Sequence, residues 1–206
     1  MIRAWPILLG LILGYLAIRT GLAHGATAEL GWQLATRWTA RAGFPLLIIA
    51  YSASSLARLW PSALTGALLH DRRWWGLGFA MCHTAHLCAL TNYFSVMGKP
   101  IPPVVLYGGG AVFALMYAMA LTSFTAAQRA MGVWWKRLHR LGIHALWLVF
   151  AFAYSGRALS AENRMIGLTF GAVAIAALGL RIAAWRKKRL EHFVMMLQHN
   201  LRGGSS

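Results

Sequence analysis

Two stretches of this sequence place histidines shortly after arginines, inside segments that are otherwise apolar. The residues are Arg72, Arg73, His83 and His86 in the first stretch, and His139, Arg140 and His144 in the second. An imidazole in hydrocarbon is costly unless a partner compensates it, so such histidines mark a functional site. Two helices that carry them could hold the iron of a porphyrin by axial ligation. The sequence therefore predicts a haem or metal site at His83, His86, His139 and His144.

Other roles of these histidines fit less well. A single membrane histidine often hydrogen-bonds to a neighbouring helix without any metal. Four histidines on two helices, with no carboxylate inside an apolar segment to pair with, favour metal or haem binding over that role. A closed zinc site needs four ligands at compact spacing, and a di-iron centre needs carboxylates. Haem is the favoured group.

Six apolar segments carry these residues, and each is long enough to cross a bilayer, which takes about 20 residues. They span residues 5–23, 42–60, 74–96, 101–123, 138–157 and 165–185. The chain has 206 residues, of which 59% are hydrophobic. Little sequence lies outside the segments, so we expect one domain over residues 1–206. The predicted fold class is an all-α integral membrane protein, a six-transmembrane-helix bundle.

The basic residues give the chain a formal charge of +16. They lie beside the apolar segments, a pattern typical of membrane topology and not of nucleic-acid binding. Most of them fall in the N-terminus, the second–third and fourth–fifth connections and the C-terminal tail. The positive-inside rule then places both termini in the cytoplasm, with both histidine segments running outward through a bacterial inner membrane. The first segment also fits a cleaved signal peptide, which would leave the other spans in the same orientation.

Residues 186–206 are predicted to form a basic, amphipathic cytoplasmic tail. It begins with Arg186, Lys187, Lys188 and Arg189, a cluster suited to anionic lipid headgroups. Leu190, Phe193, Val194, Leu197 and Leu201 follow on one helical face, which favours a helix lying on the membrane surface.

The motifs resemble those of a known family. Arg72-Arg73-x-x-Gly76-Leu77 with His86, and Trp134-Trp135 with Leu138-His139-Arg140-Leu141, are similar to the ferric reductase-like transmembrane family. Within that family the chain is similar to the haem-binding membrane subunits of periplasmic methionine sulfoxide reductase systems. The resemblance implies a six-helix cytochrome with haem b that passes electrons across the membrane, to a periplasmic reductase or another periplasmic acceptor. By motif position, it implies His86 and His139 as iron ligands.

The sequence departs from the family at one position. Members often carry another histidine about a dozen residues after the Leu-His-Arg motif, where this chain has Phe152. This substitution favours one haem over two. Helix rise places His83 and His86 about 15 and 20 Å beyond Arg73, and His139 and His144 about 3 and 10 Å beyond Arg137. Depth thus favours pairing His83 with His144, whereas the motifs favour His86 with His139, and the sequence leaves the pairing open.

The arginines near the histidines have two interpretations. They satisfy the positive-inside rule, and Arg73 and Arg140 could also bind haem propionates or the headgroup of a quinone or FMN. No glycine-rich dinucleotide motif is present, so we expect electrons from a quinol or a separate flavoprotein. The chain would then be an electron-transfer subunit of an oxidoreductase. The alternatives are a cofactor-free membrane scaffold, or a small transporter, which the lack of acidic residues in the spans disfavours.

Overall fold

The computed structural model describes the backbone of residues 4–203 and the side chains of residues 4–198. The described chain is helical, with no strand. Its elements are α1 (Trp5–His24), α2 (Ala28–Leu59), α3 (Ala63–Met97), a π-helix (Val104–Gly109) continued by α4 (Gly110–Leu121), α5 (Thr125–Met131), α6 (Val133–Ala158) and α7 (Arg164–Gly203). The all-α class is confirmed, and each predicted segment falls on a helix.

Among the described residues, four helical stretches are long and apolar enough to cross a membrane: Trp5–His24, Ala28–Leu59, Val104–Leu121 and Arg164–Gln198. The prediction of six transmembrane helices is therefore not confirmed. The helices α3 and α6, which carry the candidate histidines, have 35 and 26 residues and are not among these four stretches.

Local sequence signals set several helix ends. The Thr27 hydroxyl accepts a hydrogen bond from the Leu30 amide and caps α2. Ser62 and Thr65 form a reciprocal capping box at the start of α3, which ends at Gly98 in the left-handed conformation, with φ of 62°. These signals define where α2 and α3 begin and where α3 ends.

Helix packing places α2 in the middle of the bundle, between α1 and α3 on one side and α6 and α7 on the other. Glycines let α1 approach closely, since a Cβ on Gly10 would overlap the carbonyl oxygen of Gly78 on α3. On the other side, Phe44 of α2 contacts Phe150 and Tyr154 of α6, with ring centroids 5.3 and 5.1 Å apart. Side chains of α2, α3 and α6 meet inside the bundle, where the ring of His83 on α3 also lies 5.3 Å from that of Phe150.

The C-terminal tail continues α7 and is not a separate helix. At about 1.5 Å per residue α7 is about 60 Å long, twice the hydrocarbon thickness of a bilayer. Two contacts hold this continuation against Arg58 at the end of α2. The Arg58 guanidinium donates to the Glu191 carboxylate at 3.2 Å, and the Lys187 ammonium donates to the Arg58 carbonyl oxygen at 3.0 Å. The side chain of Leu201, the last residue of the predicted amphipathic face, and residues 204–206 lie outside the described part.

Candidate functional site: two cavities in the bundle

The candidate histidines line two different cavities. The His83/His86 cavity has a volume of about 240 Å3, and the His139 cavity one of about 630 Å3. The first is lined by His83 and His86 of α3, Arg37 and Arg41 of α2, and Phe150 and Arg157 of α6, among others. The second is lined by Arg72 and Arg73 of α3, His139 and Arg140 of α6, Tyr51 of α2 and Arg181 of α7, among others.

The two cavities are neighbours along the bundle. The His83/His86 cavity lies toward the connections between α1 and α2 and between α6 and α7. The His139 cavity lies toward the connections between α2 and α3 and between α5 and α6. Met116 of α4 and Leu146 of α6, both almost fully buried, line both cavities and form the wall that they share.

His86 is held in a defined tautomer. Its Nδ1 lies 3.0 Å from the carbonyl oxygen of Thr36 and 3.0 Å from the hydroxyl of Thr39. A carbonyl can only accept, so Nδ1 carries the proton. The Thr39 hydroxyl agrees with this, because it donates to the Ala35 carbonyl at 2.8 Å and is free to accept from His86. Nε2 therefore keeps its lone pair, the arrangement found in histidines that ligate metals.

His83 lies one helical turn before His86, with ring centroids 5.1 Å apart. Its ring is 8% exposed and packs on Phe79 at 4.3 Å. Its Nδ1 is buried and has no hydrogen-bond partner among the described residues. That atom faces α2, where a Cβ on Gly43 would lie 2.6 Å from it. His83 thus shares a cavity with His86 but lacks the bond that fixes the His86 ring.

His139 lies in the other cavity. Its Nε2 is 3.1 Å from the hydroxyl of Thr122, whose own hydrogen is directed to the Ala118 carbonyl at 2.6 Å. Nε2 of His139 therefore donates, and this nitrogen is engaged in tying α6 to the end of α4. The ring also stacks on Trp135 at 4.2 Å. Since His86 lines the neighbouring cavity, the structure does not bring the motif pair His86 and His139 into one cavity.

His144 is not among the residues that line either cavity. Its Nδ1 is 3.3 Å from the hydroxyl of Tyr51, and the two rings meet edge to face. Tyr51 also contacts Arg181, whose guanidinium lies 4.4 Å from the Tyr51 ring centre. The pair that helix depth favoured, His83 and His144, is therefore not brought together either.

Arg73 and Arg140 are brought together with His139. Both line the His139 cavity, which Arg72, Lys136 and Arg181 also line, and no carboxylate lines it among the described residues. Its volume is within the range of about 300–1,000 Å3 that is typical for sites of small molecules and cofactors. The positive charge and the volume of the His139 cavity both suit an anionic or strongly polar ligand.

Sequence reasoning missed the polar residues of α2 that face α3. Thr36, Arg37, Thr39 and Arg41 are not among the residues that the sequence singles out. Their spacing offered a signal, because residues three and four apart share one face of a helix. The spacing does not show which neighbouring helix that face of α2 contacts.

Phe152, at the position where the family often carries a further histidine, does not line the His83/His86 cavity. It is 81% exposed, whereas Val149, Phe150 and Ala153 form the α6 wall of the His83/His86 cavity. Neither this wall nor the α4 wall, with Val112 and Phe113, contains a histidine. The cavity therefore receives its imidazoles from α3 alone.

Comparison with known proteins finds similarity over part of the chain. It is 35% identical over 81 residues to the protein-methionine-sulfoxide reductase heme-binding subunit MsrQ of Bordetella pertussis, and equally to those of Bordetella parapertussis and Bordetella bronchiseptica. The matched region is 39% of this chain and 39% of each relative. No family model and no solved structure matches the chain. The predicted similarity to these haem-binding subunits is thus confirmed over that region.

Proposed function

We propose that this chain, similar in part to haem-binding subunits, is an integral membrane haem protein that transfers electrons between a donor and a reductase on opposite sides of the bilayer. The observation that carries the proposal is the geometry of His86. A partly buried imidazole that lines a cavity, with Nδ1 bonded to a backbone carbonyl and Nε2 left as the acceptor nitrogen, has the arrangement of a histidine that ligates a metal.

The surroundings of His86 suit haem b. Phe113, Phe150 and Tyr154 supply flat apolar walls, and three arginines supply positive charge. The volume of about 240 Å3 is below the usual range for cofactor sites, so binding requires a wall to move outward. The α4 wall is the one most able to move, because α4 has a single buried residue, Met116. When bound, haem would supply a one-electron Fe(III)/Fe(II) couple.

The His139 cavity is proposed as the site of the electron donor. Arg73 and Arg140 would bind the polar headgroup of a quinol or of FMN, and His139 would lie beside it. Met116 and Leu146 would separate this donor from the haem, because they line both cavities. We further propose the orientation that the basic residues indicate, with this cavity toward the cytoplasm and the reductase partner in the periplasm.

The direct test is the visible spectrum of the full chain, purified in detergent after expression with added haem precursor. A b-type spectrum that changes on reduction is expected, and a colourless protein contradicts the proposal and favours a cofactor-free scaffold or transporter. His86→Ala should abolish the spectrum. His192→Ala, which changes an exposed histidine of the α7 continuation, is the matched control and should leave it unchanged.

A further inference from the structure

Three arginines in the His83/His86 cavity have no carboxylate partner in the described part of the chain. Arg37 and Arg41 are one turn apart on α2, and Arg157 lines the cavity from α6. All three are partly buried. The ion pairs in the described part of the chain, Arg58 with Glu191 and His70 with Asp71, do not involve these arginines. No carboxylate lines the cavity there. A cluster of this kind is stable only if an anion or water compensates it.

The placement of Arg157 argues for an anion held at a defined position. Its guanidinium donates to the Ala153 carbonyl at 3.0 Å and lies 5.7 Å from the Tyr154 ring centre. These contacts hold the side chain against α6, facing the cavity that Arg37 and Arg41 line from α2. Arginine forks on two walls match a ligand that carries two carboxylates, because each fork can bind a carboxylate with two parallel hydrogen bonds.

We infer that Arg37, Arg41 and Arg157 bind the propionate groups of the haem that His86 holds. The inference rests on the proposed function and deepens it. It directs the propionates toward the connections between α1 and α2 and between α6 and α7. The arginines of the sequence motif, Arg72 and Arg73, line the other cavity, so they are left to the electron donor.

The test compares haem b with its dimethyl ester, in which both propionates are esterified and carry no charge. Haem-free protein in neutral detergent is titrated with each compound. The wild-type chain should bind haem b about ten- to a hundredfold more tightly than the ester, since hydrogen bonds to charged groups are lost. Arg41→Gln and Arg157→Gln should lower the affinity for haem b by similar factors and leave the affinity for the ester unchanged. Arg41→Lys, which keeps the charge but not the fork, should recover part of the loss.

Two further measurements separate this role from a structural one. The haem midpoint potential should fall in Arg41→Gln and Arg157→Gln, because positive charge near the iron favours the reduced state. Arg164→Gln, which changes an exposed arginine at the same end of the bundle, should change neither affinity nor potential. The wild-type preference for haem b over its ester needs no variant, so it tests the inference even if a substitution prevents folding.

The outcomes are distinguishable. Equal affinity of the wild type for haem b and its ester overturns the inference and leaves the proposed function intact. Failure to bind either compound overturns both. If the substitutions reduce retention of phosphatidylglycerol and leave both haem affinities unchanged, the arginines serve lipid headgroups, and the inference is wrong.

Discussion

The imidazole of His86 on α3 donates from Nδ1 to the carbonyl oxygen of Thr36 on α2, across 3.0 Å. The Thr39 hydroxyl accepts from the same nitrogen at 3.0 Å. Two adjacent turns of α2 thus fix both the tautomer and the direction of one ring of α3. Because this contact decides which nitrogen is available, it connects helix packing directly to iron binding.

Thr39→Val should weaken haem binding without abolishing it. The change removes one acceptor and leaves the Thr36 carbonyl, so the loss should be near the lower end of the range for such partners, about tenfold in affinity. Haem titration of the purified protein measures it. Thr36→Val is the matched control, because the Thr36 hydroxyl bonds only to the Trp32 carbonyl of its own helix. Equal losses in the two variants would contradict this role of the Thr39 hydroxyl.

His83→Phe and His86→Phe should differ sharply. His86→Phe removes the proposed ligand and should abolish the haem spectrum. His83→Phe replaces a buried ring whose Nδ1 is unpaired, so haem content should persist and the free energy of unfolding should rise by about 1–3 kcal/mol. Spectra and unfolding in denaturing detergent measure the two effects. Loss of haem in His83→Phe would instead make His83 a ligand.

Gly43→Ala should disturb His83. The new Cβ would lie 2.6 Å from Nδ1 and 3.0 Å from Cε1 of that ring, so the ring must shift. We expect destabilisation of about 1–3 kcal/mol, as for other overpacked sites. In a His83→Ala background the same change should cost little, which a double-mutant cycle of unfolding free energies would show. Gly171→Ala, where a Cβ meets nothing within 4 Å, is the control and should not destabilise.

Arg140→Gln should slow reduction of the haem and leave haem content unchanged, because Arg140 lines the cavity assigned to the donor. Stopped-flow reduction by a reduced quinone and by reduced FMN would each be measured. The donor whose rate falls, by about tenfold or more for a lost charged hydrogen bond, is the one that this cavity binds. Arg129→Gln on the neighbouring helix α5 serves as control. Unchanged rates with both donors would contradict the assignment.

The reduced protein should bind carbon monoxide. In the described structure the walls of the His83/His86 cavity on α4 and α6 hold no imidazole, so these walls would offer a haem held by His86 no second histidine to compete with a small ligand. A rapid shift of the reduced spectrum under carbon monoxide is expected. Met116→Leu tests the alternative, since Met116 also lines the cavity. If that variant changes the spectrum before carbon monoxide is added, a thioether ligand is present and the prediction is wrong.

The sequence was sufficient for the helical class, and it predicts the general place of a site. Apolar runs of about 20 residues predict helices because the backbone in hydrocarbon must bond to itself. Histidines within such runs predict a site because burying them is costly. Motif similarity added the haem and pointed to His86, whose side chain then proved to have a fixed ring and a free nitrogen.

Tertiary structure decided which residues share a cavity. Spacing along one helix places His83 and His86 on a common face, but it cannot say that α2 meets them with Thr36, Thr39 and Gly43. Depth along the helix separated His139 from His86, but it could not show that His144 lines neither cavity, because the rotation of each helix about its axis is set by packing. Local periodicity therefore determined the faces, and contacts between helices far apart in the sequence determined the site.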